Sequence, residues 1–161
     1  LKLLPYVFLR PANVRFALWS EIDLEKKLWT IPASKMKMKK AHITPLTPQM
    51  IEIIQDCQDN HSVYVFPSPT SVTRPLSENT LNQALKRLGF GDEISSHGFR
   101  HTASTLLNEH INDHKIRSEL IELQLAHTTS TVRETYNKAL YLNERRKLLE
   151  WWSNFLDDLK K

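Results

Sequence analysis

Glycine is scarce in this sequence, with 3 residues among 161. Glycine supplies the positive backbone angles that tight turns need, so its scarcity disfavours an all-β fold built from many hairpins. Neither a GxxxxGKS/T loop nor a GxGxxG motif occurs, which leaves ATP- or NAD-dependent chemistry without support. The single cysteine, Cys57, excludes an internal disulfide and a cysteine zinc cluster and favours the cytoplasm.

Long apolar runs and clustered carboxylates are also missing. No apolar stretch approaches the roughly 20 residues that cross a bilayer, so we expect no membrane association. Metal sites for phosphate chemistry usually use carboxylates, yet Glu21 with Asp23, and Asp157 with Asp158, lie in contexts typical of solvated surface. We therefore expect neither a metal nor a cofactor.

What is present fits one soluble domain, which we place over residues 1–161. Apolar residues make up 40% of the chain and charged residues 25%, which is ordinary for a globular protein. The net charge of +4 permits a polyanionic partner without proving one. The basic residues concentrate in two blocks: Lys35, Lys37, Lys39 and Lys40, and then Arg145, Arg146 and Lys147.

The hydrophobic period changes from strand-like to helical along the chain. Strand-like runs occupy three stretches, residues 21–23, 28–31 and 42–46. Thr47 followed by Pro48 predicts the start of a helix, and Ser77 predicts the cap of the next one. A loop rich in serine, threonine and proline is expected over residues 68–75. The pattern predicts an α+β domain, mostly helical, with a three-stranded antiparallel sheet on one edge.

Six polar residues are suited to cutting a phosphodiester without a metal: Arg10, Lys37, His97, Arg100, His127 and Tyr136. Arginine forks can stabilise charge on non-bridging oxygens. A tyrosine can attack phosphorus directly while histidine and lysine move protons. Most of them also have a purely structural explanation: His97 as a helix-start residue, Arg100 as a surface ion-pair partner, Lys37 as part of a solvated hairpin tip, His127 as a helix cap and Tyr136 as a core residue.

The order of these residues resembles the motifs of the tyrosine recombinase (phage integrase) family. Arg10-Pro11, a hairpin lysine, the segment SHGFRHT at residues 96–102, Leu125-Ala126-His127 and Tyr136 follow one another as in that family. The interval from His127 to Tyr136 is nine residues (136 − 127 = 9), as is usual there. Satellite-prophage and genomic-island integrases are especially similar, through WSEIDL at 19–24, KMKM at 35–38 and STLLNE at 104–109.

The resemblance implies metal-free DNA cleavage and rejoining, for the integration or excision of a mobile element. It assigns Tyr136 as the nucleophile that forms a 3′-phosphotyrosyl link, and Arg10 and Arg100 as clamps on the non-bridging oxygens. Lys37 would be the general acid, His97 would assist proton transfer at the tyrosine, and His127 would donate a hydrogen bond to the phosphate. Tyr141 is not expected to be the nucleophile.

The choice among the hairpin lysines rests on register. Lys35, Lys37 and Lys39 alternate with methionines, so an extended hairpin would point all three the same way. Counting back from the strand at residues 43–46 in the family's register selects Lys37. Lys35, Lys39 and Lys40 would then contact the DNA backbone.

The sequence departs from the family after Arg10-Pro11, before His127, and after Tyr136, where Asn137-Lys138 replaces a frequent Thr-His. Many relatives have Gly-Glu after Arg-Pro, where this chain has Ala12-Asn13, and the glutamate there usually helps to hold the arginine. Ala126 stands where a glycine is common.

The resemblance also implies double-stranded DNA at attachment sites as the partner and the bacterial cytoplasm, at the nucleoid when DNA-bound, as the location. We expect a fragment that lacks N-terminal DNA-binding domains, is monomeric alone and binds DNA weakly, within a full-length protein that is tetrameric on DNA. An inactive DNA-binding module and a type IB topoisomerase-like enzyme remain open. The tryptophans of the last helix could pack within the chain or on a neighbouring protomer.

Overall fold

Three short strands form the sheet that the sequence predicts, and they pair in the antiparallel order β1-β2-β3. The computed structural model describes residues 1–58, 61–127 and 141–161. The strands are β1 (Ile22–Asp23), β2 (Leu28–Ile31) and β3 (His42–Pro45). Trp29 and Ile31 are buried whereas Thr30 between them is exposed, as strand alternation requires.

Helices dominate the rest of the described chain, so the α+β prediction is confirmed. They are α1 (Leu4–Val7), α2 (Pro11–Arg15), α3 (Pro48–Gln55), α4 (Thr80–Arg87), α5 (Gly98–Glu109), α6 (Ile111–His114), α7 (Ser118–Gln124) and α8 (Leu142–Asp158). Two short 3-10 helices span Trp19–Glu21 and Ala33–Lys35. No helix among the described residues is both long and apolar enough to span a bilayer.

The predicted helix starts have mixed outcomes. Thr47 caps α3 as expected, because its hydroxyl accepts a hydrogen bond from the Met50 N–H at 3.4 Å and Pro48 takes the first helical position. The prediction for Ser77 is wrong: α4 begins at Thr80, with Asn79 at the N-cap. The Ser77 carbonyl instead accepts a bond from the Thr80 N–H at 3.2 Å.

The stretch expected to be a loop over residues 68–75 contains a second, two-stranded sheet. Its strands are β4 (Pro67–Ser68) and β5 (Ser71–Pro75), paired antiparallel with an irregular register. Their side chains are half-buried or exposed throughout. Because neither strand buries a hydrophobic face, the sequence carries no alternation from which this pairing could be predicted.

The C-terminal helix α8 packs into the chain's own core. Leu148, Leu149 and Trp152 are buried, and the Trp152 indole N–H donates to the Pro5 carbonyl at 2.7 Å. The Trp152 ring meets Phe8 edge-on, with 6.2 Å between centroids. Within the chain, α8 therefore packs in cis against α1 and against Phe8 at the C-terminal end of α1.

We expect Trp152→Ala to lower the free energy of unfolding by about 3–5 kcal/mol, because it empties a fully buried site and removes the bond to Pro5. Trp151→Ala is the matched control, since that ring is half-buried beside Phe155 at 5.3 Å; it should cost about 1 kcal/mol. Urea unfolding followed by circular dichroism measures both. Equal losses would contradict packing of Trp152 in the chain's own core.

Candidate active site

Arg100 is the buried centre of the candidate site. It lies on the first turn of α5, and its residue is 5% exposed. One guanidinium nitrogen, Nη1, donates to the Phe8 carbonyl at 3.1 Å, and the other, Nη2, donates to the Leu125 carbonyl. Arg100 therefore joins the end of α1 to the end of α7, and its interpretation as a surface ion-pair partner is wrong.

The Phe8 carbonyl is presented by an unusual backbone conformation. Phe8 ends α1 in the left-handed region, with φ 35° and ψ 34°, and its N–H donates to the Leu4 carbonyl at 3.1 Å. Such a conformation costs a non-glycine residue about 1–2 kcal/mol. Full burial of a phenylalanine side chain contributes about 1.5–3 kcal/mol, so the packing of Phe8 offsets its strain.

Arg10 lies two residues after this turn and brings a second positive charge to Arg100. It is the N-cap of α2 with Pro11 at the first helical position, and it is half-buried. Burial, and then the charge of Arg10, lower the pKa of Arg100 to about 10, while Glu122 acts in the opposite direction. Two cations held together at such a cost are typical of an anion site.

His97 stands next to this pair, immediately before α5. Its ring makes an edge contact with His101, with 5.1 Å between centroids. Partial desolvation lowers the His97 pKa below its ordinary value, although the residue is largely exposed, and the charges of His101, Arg100 and Arg10 add to the shift. The lowered pKa favours the neutral imidazole, which is the form that can accept a proton.

His127 is held by a Schellman motif at the end of α7. The His127 N–H donates to the Glu122 carbonyl at 3.0 Å, and the Ala126 N–H donates to the Leu123 carbonyl at 3.1 Å. Ala126 takes the left-handed position, with φ 53°, where the family commonly has glycine. The His127 Nδ1 lies 2.6 Å from a Glu122 carboxylate oxygen. The His127 backbone therefore belongs to the helix cap, while its side chain stays partly exposed to solvent.

The lysine hairpin differs from its predicted shape. Ala33–Lys35 is a 3-10 helix, so residues 35–39 do not alternate as in a strand. Met36 is 4% exposed whereas Met38 is 44% exposed, which makes the predicted common direction of the lysines wrong. Lys37 lies exposed on the turn that follows.

Lys35 is engaged with protein atoms. Its ammonium lies 2.5 Å from Glu21 Oε1 and donates to the Phe16 carbonyl at 2.6 Å. The expected contact of Lys35 with the DNA backbone stays a prediction. The Glu21 side chain is 8% exposed, so its interpretation as solvated surface is also wrong. Lys39 and Lys40 are exposed.

Tyr136 lies outside the described residues. Tyr141, the residue before α8, has the Arg117 guanidinium 5.4 Å from its ring centroid. Among the residues that the structure describes, no three His, Cys, Asp or Glu side chains converge in a way that could hold a metal ion.

Arg145 is the residue near the site that sequence reasoning missed. It is 3% exposed, and its guanidinium donates to Gln124 Oε1 at 2.9 Å from Nε and to the Ile43 carbonyl at 2.6 Å from Nη2. Burial lowers its pKa to about 10. Arg145 shares a helical face with Leu148, Leu149 and Trp152, and that spacing was the available signal. Arg145 thus holds Gln124, the residue before Leu125. The Leu125 carbonyl in turn accepts a hydrogen bond from Arg100.

The comparisons with known proteins agree with this arrangement. The model of the phage integrase family matches residues 1–142. The prophage integrase IntS of Escherichia coli (strain K12) is 37% identical over 161 residues, covering 98% of this chain and 41% of IntS. The integrase of Shigella phage Sf6 is 37% identical over the same length and with the same coverage. The chain belongs to the phage integrase family.

Membership in the phage integrase family confirms the resemblance seen in the sequence. The chain spans about two fifths of the length of these integrases. Among solved structures, residues 82–397 of the Tn1549 transposon integrase, in complex with circular intermediate DNA, match with a TM-score of 0.48 and 13% identity. That match covers 83% of this chain and 54% of the transposon integrase.

We expect Ala126→Gly to raise the free energy of unfolding by about 0.5–1 kcal/mol. Glycine removes a left-handed strain of about 1–2 kcal/mol, and part of the gain is lost to the greater entropy of the unfolded chain. Ala103→Gly, inside α5 and fully buried, is the control and should destabilise. Thermal unfolding measures both, and a loss of stability in Ala126→Gly would contradict the motif.

We expect the His97 imidazole to titrate below the ordinary histidine range. His101→Asn should raise the His97 pKa, because it removes one neighbouring positive charge. His110→Asn, which alters the histidine at the opposite end of α5, paired with Asp113, should leave the His97 pKa unchanged. Nuclear magnetic resonance of the imidazole protons measures the His97 titration in the unmodified chain and in both variants. A His97 pKa at or above the ordinary value would contradict the clustering of cations.

Proposed function

We propose that the chain is the catalytic domain of a tyrosine site-specific recombinase, which cuts and rejoins double-stranded DNA at attachment sites of a mobile element. The observation that carries the proposal is the convergence of Arg10, Arg100 and His97, each of which lies close enough to act electrostatically on its neighbours. Two arginines beside a proton acceptor suit a phosphodiester whose charge grows during attack.

In the proposed cleavage, the Tyr136 hydroxyl oxygen forms a bond to phosphorus while the bond from phosphorus to the 5′ oxygen breaks. The tyrosine proton passes to His97, and the ammonium of Lys37 protonates the departing 5′ oxygen. Arg10, Arg100 and His127 donate to the non-bridging oxygens. An unperturbed tyrosine has a pKa of about 10, so nearby cations and an acceptor are what would make it reactive near neutral pH.

Rejoining is the same step in reverse, with the 5′ hydroxyl of another strand as the attacking group. One phosphodiester is exchanged for a phosphotyrosine and then restored, so the reaction needs no nucleotide cofactor as an energy source. The cationic side chains supply the charge stabilisation that a metal would otherwise provide. Lys39 and Lys40 would add contacts to the DNA backbone, and such contacts weaken as salt rises. We further propose that the full-length protein acts as a tetramer on paired sites and that this domain alone is monomeric and binds DNA weakly.

We expect Tyr136→Phe to abolish the covalent protein–DNA adduct, because phenylalanine lacks the attacking oxygen. Tyr141→Phe is the matched control, and it should form the adduct at nearly the unmodified rate. The substrate is a nicked duplex that spans one boundary of the mobile element encoding the chain, since the nick lets the cut strand diffuse away and traps the adduct. Denaturing gel electrophoresis then separates adduct from free protein.

An adduct that survives Tyr136→Phe, or that is lost in Tyr141→Phe alone, would assign the nucleophile elsewhere. No adduct with the unmodified chain on either boundary, together with binding of the same duplexes, would favour the inactive DNA-binding module. Repeated relaxation of a supercoiled plasmid that lacks both boundaries would favour the topoisomerase-like enzyme.

A further inference from the structure

Three polar side chains, Asn13, Glu21 and Lys35, connect the helix that carries Arg10 to the turn that carries Lys37. We name these three residues the brace. Asn13 lies on α2, three residues after Arg10, and is 5% exposed. Its Nδ2 donates to the Lys35 carbonyl at 3.2 Å and contacts Met36 Sδ at 3.5 Å. One amide therefore ties α2 to the backbone two residues before Lys37.

Glu21 holds the same segment from the side of the sheet. Its Oε1 lies 2.5 Å from the Lys35 ammonium, and its Oε2 accepts from the Leu18 N–H at 3.2 Å and from the Trp29 indole N–H at 3.3 Å. A carboxylate with three donors and little exposure has few alternative positions. Lys35 is thus fixed at its backbone by Asn13 and at its ammonium by Glu21.

The brace determines where the turn after it begins. The Lys39 N–H donates to the Met36 carbonyl at 3.0 Å, which closes a four-residue turn over residues 36–39. Lys37 is the second residue of that turn and is exposed. Met36, the first residue, is buried against Asn13. The position of Lys37 relative to Arg10 therefore depends on Asn13 and on the pair of Lys35 with Glu21.

We infer that Asn13, Glu21 and Lys35 are positioning residues for Lys37, and that Lys35 serves as a structural anchor and not as a contact to DNA. The inference rests on the proposed function, in which Lys37 protonates the departing 5′ oxygen. Without the brace, the turn would keep its lysine but lose its placement over the phosphate. General acid catalysis needs the donor within hydrogen-bond reach of the oxygen, so a displaced Lys37 would slow cleavage.

The first experiment measures whether the brace exists in solution and needs no DNA. The chain is treated with an amine-acylating reagent, and the rates at Lys35 and Lys37 are measured by mass spectrometry. Lys35 should react several-fold more slowly than Lys37, and Glu21→Gln should bring its rate close to that of Lys37. Asp23→Asn is the matched control, because it makes the same change in the exposed pair with Lys26; it should alter neither rate. Rapid labelling of Lys35 in the unmodified chain would overturn the inference.

The second experiment separates positioning of the acid from general damage. Two nicked duplexes are compared, one ordinary and one with sulfur in place of the bridging 5′ oxygen at the position that the unmodified chain cuts. A thiolate leaves without being protonated, so a missing acid costs rate only on the oxygen substrate. Lys37→Ala should cut the oxygen substrate about 10²–10⁴-fold more slowly and recover on the sulfur substrate.

Asn13→Asp, which keeps the shape of the side chain but removes its donor, and Glu21→Gln should show the same recovery on sulfur with a smaller loss on oxygen. Asp23→Asn should cut both substrates at the unmodified rates. If Lys37→Ala recovers while both brace variants stay slow on sulfur, the brace is only structural and the inference is overturned. If Lys37→Ala itself does not recover on sulfur, the general-acid assignment within the proposed function fails, and the inference fails with it.

Discussion

The two hydrogen bonds that Arg100 donates to backbone carbonyls are the interaction on which the rest of the site depends. They join Phe8, at the end of α1, to Leu125, at the end of α7. Arg10 follows the first carbonyl by two residues, and His127 follows the second by two residues. A single buried guanidinium thus sets the spacing between residues that are far apart in the sequence. Its planar fork makes this geometry specific in a way that a lysine ammonium would not.

Burial of the Arg100 guanidinium carries a desolvation penalty, which hydrogen bonds to the surrounding backbone offset. A second buried arginine, Arg145, holds Gln124 and the Ile43 carbonyl, so the end of α7 is anchored from two sides. An arginine that lost its acceptors would leave an uncompensated buried charge, which is strongly destabilising. We therefore expect that removing a single acceptor of Arg100 or Arg145 would destabilise the end of α7.

The sequence predicted those parts of the fold that follow from hydrophobic periodicity. The strand containing Trp29 alternates between buried and exposed residues, and Thr47 has a capping hydroxyl, so both could be predicted. The pairing of β4 with β5 could not, because its side chains bury no common face. Met36 and Met38 read as one alternating strand, yet a 3-10 turn before them buries the first and exposes the second.

The site shows the same division. Arg10, His97 and Arg100 were found through their order along the chain, and the structure brings them together, while Tyr136 stays a prediction. Glu21 and Arg145 belong to charged segments typical of solvated surface, yet the structure buries both side chains, because their buried hydrogen-bond partners are far from them in the sequence. The spacing of Arg145 relative to Leu148 and Trp152 carried the only signal.

Phe8 contacts both the hydrophobic core and the candidate site. Its ring packs against Trp152, and its carbonyl, turned by the left-handed backbone, accepts a bond from Arg100. A glycine would relax that backbone but leave a void beneath α8, and a smaller tryptophan replacement would remove the support that keeps the backbone strained. A substitution at Phe8 or at Trp152 would therefore disturb the packing of the other. One aromatic residue thus couples the hydrophobic core to the carbonyl that holds the Arg100 guanidinium.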